Sequence, residues 1–262
     1  MKRTILALLV AAIPAAAHAK VVTETVEYKQ DGTVLEGVLA YDDAVKGKRP
    51  GILVVHEWMG INEHTLQKTK DLAAMGYVAF AADIYGKGVR PKDPKAAAAE
   101  SSKYRDGDRK LLRARAMAGL DQLKANPRVD ASKLGAIGFC FGGTTVIELA
   151  RAGAPVAAVV SFHGGLDSPN PADGKNIKGK VLALHGGDDP FVPAKNVEAF
   201  EKEMRDAGVD WQLVKYGGAV HSFTNPAAGN DNSKGAAYNE RAARRAWAEM
   251  KGFFAETFGN QT

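Results

Sequence analysis

A chain of 262 residues with 45% hydrophobic and 25% charged side chains is composed like a soluble globular enzyme and has enough apolar material for a substantial core. Its formal charge of +5 comes from 35 Lys and Arg against 30 Asp and Glu. The basic residues are interleaved with acids, as in Arg105-Asp106-Gly107-Asp108-Arg109-Lys110, which excludes the clustered footprint that nucleic-acid binding needs.

The first residues form a unit of their own. Met1-Lys2-Arg3 is basic, Ile5 to Ile13 is unbroken Ile, Leu, Ala and Val, and Ala17-His18-Ala19 precedes Lys20. A basic start, a short apolar run and an A-x-A ending are the features of a secretory signal. The run is too short for a membrane span, which takes about 20 residues. An uncleaved anchor or a buried N-terminal helix is the alternative. Residues 1–19 are therefore expected to be removed, leaving one domain over 20–262. That mature chain is expected to be exported to a bacterial periplasm by the general secretory route, since the twin-arginine signature is absent. No second long apolar run follows, so no membrane association is expected after cleavage. Loss of Lys2 and Arg3 leaves 33 basic residues and a net charge of +3.

The chain has a single cysteine, so it forms no internal disulfide despite the oxidising compartment the signal implies. A lone exported thiol is either buried and inert or kept for its reactivity.

Val21 to Lys29 and Thr33 to Tyr41 alternate polar and apolar residues around Asp31-Gly32, which predicts an antiparallel hairpin. Lys46 to Pro50 reads as a turn, and Gly51 to Val55 as a strand covered on both faces. Asn62 is placed to cap a helix running to about Met75, with Gly76 at its end. Tyr77 to Ala82 is the next strand, and Gly86 to Pro94 a loop. A helical stretch from Pro94 to Ala125 has a candidate break at Gly107. Beyond it come a strand over Lys133 to Gly138, a helix over Thr144 to Ala152, and strands over Val156 to Phe162 and Lys180 to Leu184. Ala194 to Ala207 is a helix closed by Gly208, Trp211 to Tyr216 a strand, and Ala236 to Phe258 a long amphipathic helix. Strands alternating with helices predict an α/β fold, with a mainly parallel sheet covered on both faces and an antiparallel hairpin at its N-terminal edge.

Gly138-Phe139-Cys140-Phe141-Gly142-Gly143 lies between a predicted strand and a predicted helix and has the spacing of a nucleophile elbow, with cysteine in place of serine. The glycines two positions to either side give the strained turn the room it needs. The turn sets the sulfur at a helix N-terminus, where the helix dipole favours a thiolate. It also leaves the Phe141 N–H free for a developing oxyanion. A small apolar cysteine in a Gly-rich packing turn is the competing explanation. An acidic turn, Asp188-Asp189, follows the strand over Lys180 to Leu184, and His221 follows the strand over Trp211 to Tyr216. Parallel sheets place their sites at such strand ends. The order nucleophile, acid, histidine is that of α/β-hydrolases.

These residues, with Val54-Val55-His56-Glu57-Trp58-Met59-Gly60, Ala82-Asp83-Ile84-Tyr85, Gly187-Asp188-Asp189-Pro190-Phe191-Val192-Pro193 and His221-Ser222-Phe223, resemble the dienelactone hydrolase family over nearly all of the mature chain. The resemblance implies an α/β-hydrolase fold and a triad of Cys140, Asp189 and His221, with Asp189 preferred to Asp188. It places Glu57 near the thiol, as a carboxylate able to take its proton, and Tyr85 and Phe223 at the substrate. The loop after the first core strand would give a second oxyanion donor, the Trp58 N–H. His56-Glu57 does not open a zinc motif, because Gly60 stands where the second histidine would be. No metal and no organic cofactor are expected. In relatives acting on dienelactone, an arginine two residues after His-Ser-Phe holds the substrate carboxylate. Asn225 stands at that place here, leaving Lys87 and Arg90 as candidate positive charges.

The implied activity is hydrolysis of a small ester or lactone through an acyl-thioester, in a monomer whose partner is that substrate. A non-catalytic binding protein on the same scaffold is the alternative from another class. A thiol-redox protein lacks the C-x-x-C pair.

Overall fold

The computed structural model describes residues 20–260; the signal-like segment 1–19 and the last two positions lie outside the described residues. Among the described residues, eight strands form one sheet in the order β1-β2-β4-β3-β5-β6-β7-β8. β1 (Val21–Gln30) and β2 (Thr33–Asp42) pair antiparallel across the Asp31-Gly32 turn, whose positive φ values of 46° and 80° suit an aspartate and a glycine. β2 meets β4 (Val78–Ala82) antiparallel. β4, β3 (Arg49–Val55), β5 (Val129–Phe139), β6 (Ala158–Phe162), β7 (Lys180–Gly186) and β8 (Trp211–Tyr216) then run parallel.

Among the described residues, six α-helices cover the sheet. Leu72 of α1 (Glu63–Ala74) and Met250 and Phe254 of α6 (Glu240–Phe258) pack on one face with Ile52, Ile137 and Val160. α2 (Pro94–Arg105), α3 (Lys110–Lys124), α4 (Phe141–Arg151) and α5 (Ala194–Ala207) supply Tyr104, Leu120, Val146 and Phe200 to the other face. The two-faced cover explains why the parallel strands read as continuous apolar runs. No helix among the described residues is long and apolar enough to cross a membrane.

Several boundaries differ from the sequence expectation. β3 begins at Arg49, within the predicted turn, because Arg49 and Pro50 pair with Val129 and Asp130 of a longer β5. The candidate break at Gly107 is present: the stretch 106–109 separates α2 from α3, with Gly107 at φ 71° and Arg109 at φ 57°. α6 starts at Glu240, capped by Asn239, and not at Ala236. Ala236 and Ala237 are instead drawn into backbone pairing with His221: the His221 N–H donates to the Gly235 carbonyl at 3.1 Å, and the Ala237 N–H donates to that of His221 at 3.0 Å. Local helix propensity yields there to a tertiary clamp.

Candidate active site

The parallel strands end at one rim, and the candidate residues follow those ends. Glu57 stands just after β3, Cys140 directly after β5, Asp189 after β7 and His221 after β8. Cys140 occupies the junction between β5 and α4 with φ 54° and ψ −115°, a conformation that costs a non-glycine residue of order 1–3 kcal/mol. The glycines flanking it relieve contacts of backbone with backbone. A Cβ on Gly138 would stand 2.0 Å from the Gly142 carbonyl oxygen, and one on Gly142 would stand 2.2 Å from that of Val55. The collision they avoid is therefore between the strand, the helix and β3, and not with the cysteine side chain itself.

The half-buried sulfur lies 3.0 Å from Nε2 of His221, and Nδ1 of that ring lies 2.8 Å from Oδ2 of Asp189. Asp189 is buried, and its other oxygen accepts the Phe191 N–H at 2.8 Å, which fixes the carboxylate plane. Asp188 turns the other way and accepts the Gly218 N–H at 3.0 Å. Burial disfavours charge on His221, but the Cys140 sulfur and the Asp189 carboxylate outweigh it and push the imidazole up to about 10. An NMR pH titration should therefore show His221 protonated at neutral pH and losing its proton near pH 10. In Cys140→Ala that transition should move down toward the ordinary value of about 6.5. A wild-type midpoint at or below 6.5 would contradict this charge arrangement.

Phe141 opens α4, so its N–H is one of the donors for which a helix has no internal acceptor. Trp58 sits in the turn closed by the Gly60 N–H donating to the Glu57 carbonyl at 3.1 Å, and its indole is 37% exposed at the rim. His56 anchors that turn from below. Its Nδ1–H donates to the Glu57 carbonyl at 2.6 Å while Nε2 accepts the Ile84 N–H at 3.2 Å, so both nitrogens are used by a neutral ring. Burial lowers His56 to about 4, in keeping with that role. Tyr85 is buried against Phe141 and Tyr104 and donates to the Trp58 carbonyl at 2.9 Å. Burial, with the nearby Cys140 adding to it, drives its phenol far above the usual value and keeps it a donor.

Four expected site residues sit differently from the sequence reading. Glu57 is buried but makes no hydrogen bond to Cys140. Its Oε2 accepts the Asn225 amide at 2.6 Å and lies 3.6 Å from Nδ1 of His64. Asn225, at the place of the relatives' arginine, thus holds this carboxylate. Lys87 is captured by Glu27 and Glu36 of the hairpin, which neutralises the charge expected to face substrate. Arg90 spends Nη1 on the Val89 and Gly86 carbonyls and on Asp83 at 3.5 Å, with its side chain lying against Gly60. Phe223 is fully buried, packed edge-on against His163 at 5.2 Å and tilted against Tyr216 at 5.4 Å, which leaves it no surface for a ligand.

Two residues escaped the sequence reading. His163, at φ 41° directly after β6, accepts the Cys140 N–H on Nδ1 at 3.1 Å, so its Nε2–H donates to Thr224 Oγ1 at 2.7 Å. Burial, then the charge of His221 5.3 Å away ring to ring, holds it well below the usual histidine value. A histidine followed by two glycines at the end of a core strand was the available signal. Phe191 is 60% exposed and packs edge-on against His221 at 5.5 Å, covering the imidazole from the solvent side.

Comparison with known proteins identifies the family of the chain. A family model described as the dienelactone hydrolase family matches residues 35–258. The chain belongs to the dienelactone hydrolase family. A protein of Bradyrhizobium sp. named as a probable 2-oxo-3-(5-oxofuran-2-ylidene)propanoate lactonase is 30% identical over 238 residues, covering 86% of this chain and 92% of that one. A protein of Salmonella typhimurium with the provisional name carboxymethylenebutenolidase is 29% identical, covering 88% of this chain and 86% of its own. Among solved structures, a dienelactone hydrolase-like promiscuous phosphotriesterase from metagenomic libraries is 42% identical with a TM-score of 0.87, covering 91% of this chain and 99% of that chain. Family membership makes the chain a hydrolase of the dienelactone hydrolase type, on the α/β fold expected from its sequence.

Proposed function

We propose that this hydrolase cleaves small carboxylic esters or lactones by acyl transfer through Cys140. The observation that carries the proposal is the continuous line from Sγ of Cys140 to Nε2 of His221 at 3.0 Å and from Nδ1 to Asp189 at 2.8 Å. In this reading the sulfur, as thiolate, attacks the substrate carbonyl. The N–H groups of Phe141 and Trp58 stabilise the oxyanion. Protonated His221 gives its proton to the leaving alkoxide, or to the ring oxygen of a lactone. The resulting thioester is then attacked by water, which His221 deprotonates while Asp189 holds the ring. The half-exposed Trp58 and the ring of Tyr85 would form the wall nearest the reacting carbonyl.

Acid quenching during turnover of a p-nitrophenyl ester, followed by mass spectrometry, should find the acyl mass on the peptide carrying Cys140. Turnover with no such adduct, and an undiminished rate after alkylation of the thiol, would dismiss the proposal. The 42% identity to a promiscuous phosphotriesterase favours a second activity on phosphotriesters, so one belongs in the same substrate panel beside esters and unsaturated lactones.

A further inference from the structure

The turn after β6 sets one buried side chain between the nucleophile and its base. We propose that His163 is a positioning residue, which ties the backbone of Cys140 to the turn that follows His221 and so fixes the distance between sulfur and imidazole. The inference rests on the acyl-transfer reading, in which that distance governs the rate. Three contacts carry it. Nδ1 of His163 accepts the Cys140 N–H at 3.1 Å, an N–H shared with the Phe162 carbonyl at 3.0 Å. Nε2 stands 2.7 Å from Oγ1 of the buried Thr224, just beyond His221 in the chain. The ring itself packs edge-on against the His221 imidazole at 5.3 Å.

The direction of each bond is fixed. A backbone N–H can only donate, so Nδ1 bears the lone pair and Nε2 the hydrogen, and Thr224 Oγ1 is the acceptor for that hydrogen. A charged ring, or the other tautomer, would set N–H against N–H at Cys140. Burial, then the charges of His221 and His64, keeps the ring in the neutral form that the contact requires. The segments it joins are both strained, with Cys140 and Ser222 each at φ 54°, and such backbone persists only where its surroundings over-determine it. His163 stands on a firm base. Its own N–H donates to the Leu184 carbonyl at 2.8 Å, and Thr144 of α4 exchanges hydrogen bonds with the Gly165 backbone at 2.9 and 3.2 Å. What it holds is the turn 222–225, closed by the Asn225 N–H donating to the Ser222 carbonyl at 3.0 Å. Misplacement of reacting groups by about 1 Å costs about 10²-fold in rate, so losing one of these two ties should cost about tenfold.

Thr224→Val keeps the shape of the side chain but removes the acceptor, whereas Thr224→Ser keeps the acceptor. On a p-nitrophenyl ester, kcat should fall about tenfold in Thr224→Val with KM within about twofold of wild type, and Thr224→Ser should stay close to wild type. Two readouts without substrate separate positioning from mere stability. The His221 transition followed by NMR should move down from about 10 by about one pH unit in Thr224→Val, because an imidazole held less closely to the sulfur is charged less easily. Alkylation of Cys140 by iodoacetamide at neutral pH should slow by about tenfold in the same variant. His163→Asn tests the other end, since asparagine tolerates the positive φ and offers an acceptor toward Cys140 but is too short for Thr224. It should match Thr224→Val in every readout, and it carries the test if that variant does not fold. An unchanged kcat and His221 transition in the folded variant, or an equal loss in Thr224→Ser, would overturn the proposal. Neither NMR nor alkylation needs turnover, so failure to trap an acyl adduct and failure of this inference are separate results.

Discussion

Cys140→Ala should lower kcat on the best ester substrate by about 10⁴-fold or more, while leaving the thermal melt within a few degrees of wild type. The size follows from what is removed. Without the sulfur no thioester forms, and water must attack the substrate directly with only the two N–H donors and binding to assist it. Those contributions sustain about 10³–10⁴-fold over the uncatalysed rate when a triad member is deleted. The fold should survive because the side chain is small and half-buried, and because α4 is anchored along its whole length by buried residues from Phe141 to Arg151. Cys140→Ser is the sharper comparison. It keeps a nucleophilic atom at the elbow but removes the charge partner that raises His221, so it should retain more activity than alanine and far less than cysteine. A Cys140→Ala variant within tenfold of wild type, on protein shown free of contaminating esterase, would remove the sulfur from the mechanism.

Arg151→Met should destabilise the protein by about 3–5 kcal/mol, the loss typical of a buried charge stripped of its partner. At roughly 2–4 °C per kcal/mol for a chain of this size, the melting temperature should fall by about 10 °C. Arg151 ends α4 and is fully buried. Its Nε and Nη2 donate to Glu203 of α5 at 2.9 and 2.6 Å, and its Nη1 donates to Glu148 at 2.8 Å. Glu148 keeps Arg109 and Arg113 when Arg151 is removed, but the carboxylate of Glu203, 2% exposed, is left with no cation. The double variant Arg151→Met/Glu203→Met removes both members and should recover most of the loss, which urea melts of the three proteins would read. A loss under about 1 kcal/mol in the single variant would show that the cluster relaxes to admit water. The cluster also bears on catalysis, since it clamps the far end of the helix whose first residues follow Cys140.

Local patterning carried much of this architecture. The hairpin was legible because Asp31-Gly32 interrupts two alternating runs, and α5 because its apolar positions repeat at helical spacing up to Gly208. The order of Cys140, Asp189 and His221 was legible because each follows a core strand, and a parallel sheet gathers such positions at one rim. What stayed hidden depends on which distant side chains meet. Lys87 faces Glu27 and Glu36 because β4 lies beside the hairpin, a neighbour relation that spacing along the chain does not encode. Phe223 looked like a substrate contact from its place beside His221, but the turn at Ser222, with φ 54°, sends it inward beneath His163. Glu57 was expected near the thiol; its hydrogen bond to the amide of Asn225, far along the chain, was not legible. Such pairings are decided by register and loop path, after local preference has chosen the elements.

The absence of a second thiol anywhere in the chain has a chemical corollary. Should an oxidant convert the sulfur of Cys140 to a sulfenic acid, no resolving cysteine exists within the molecule to capture it as a disulfide. Recovery then falls to small thiols arriving from outside, and continued oxidation to the sulfinic state would be irreversible. Access of solvent to the half-buried sulfur would then govern how long the thiol survives wherever an oxidant is present. Phe191, exposed and edge-on against His221, covers the imidazole that lies beside that sulfur.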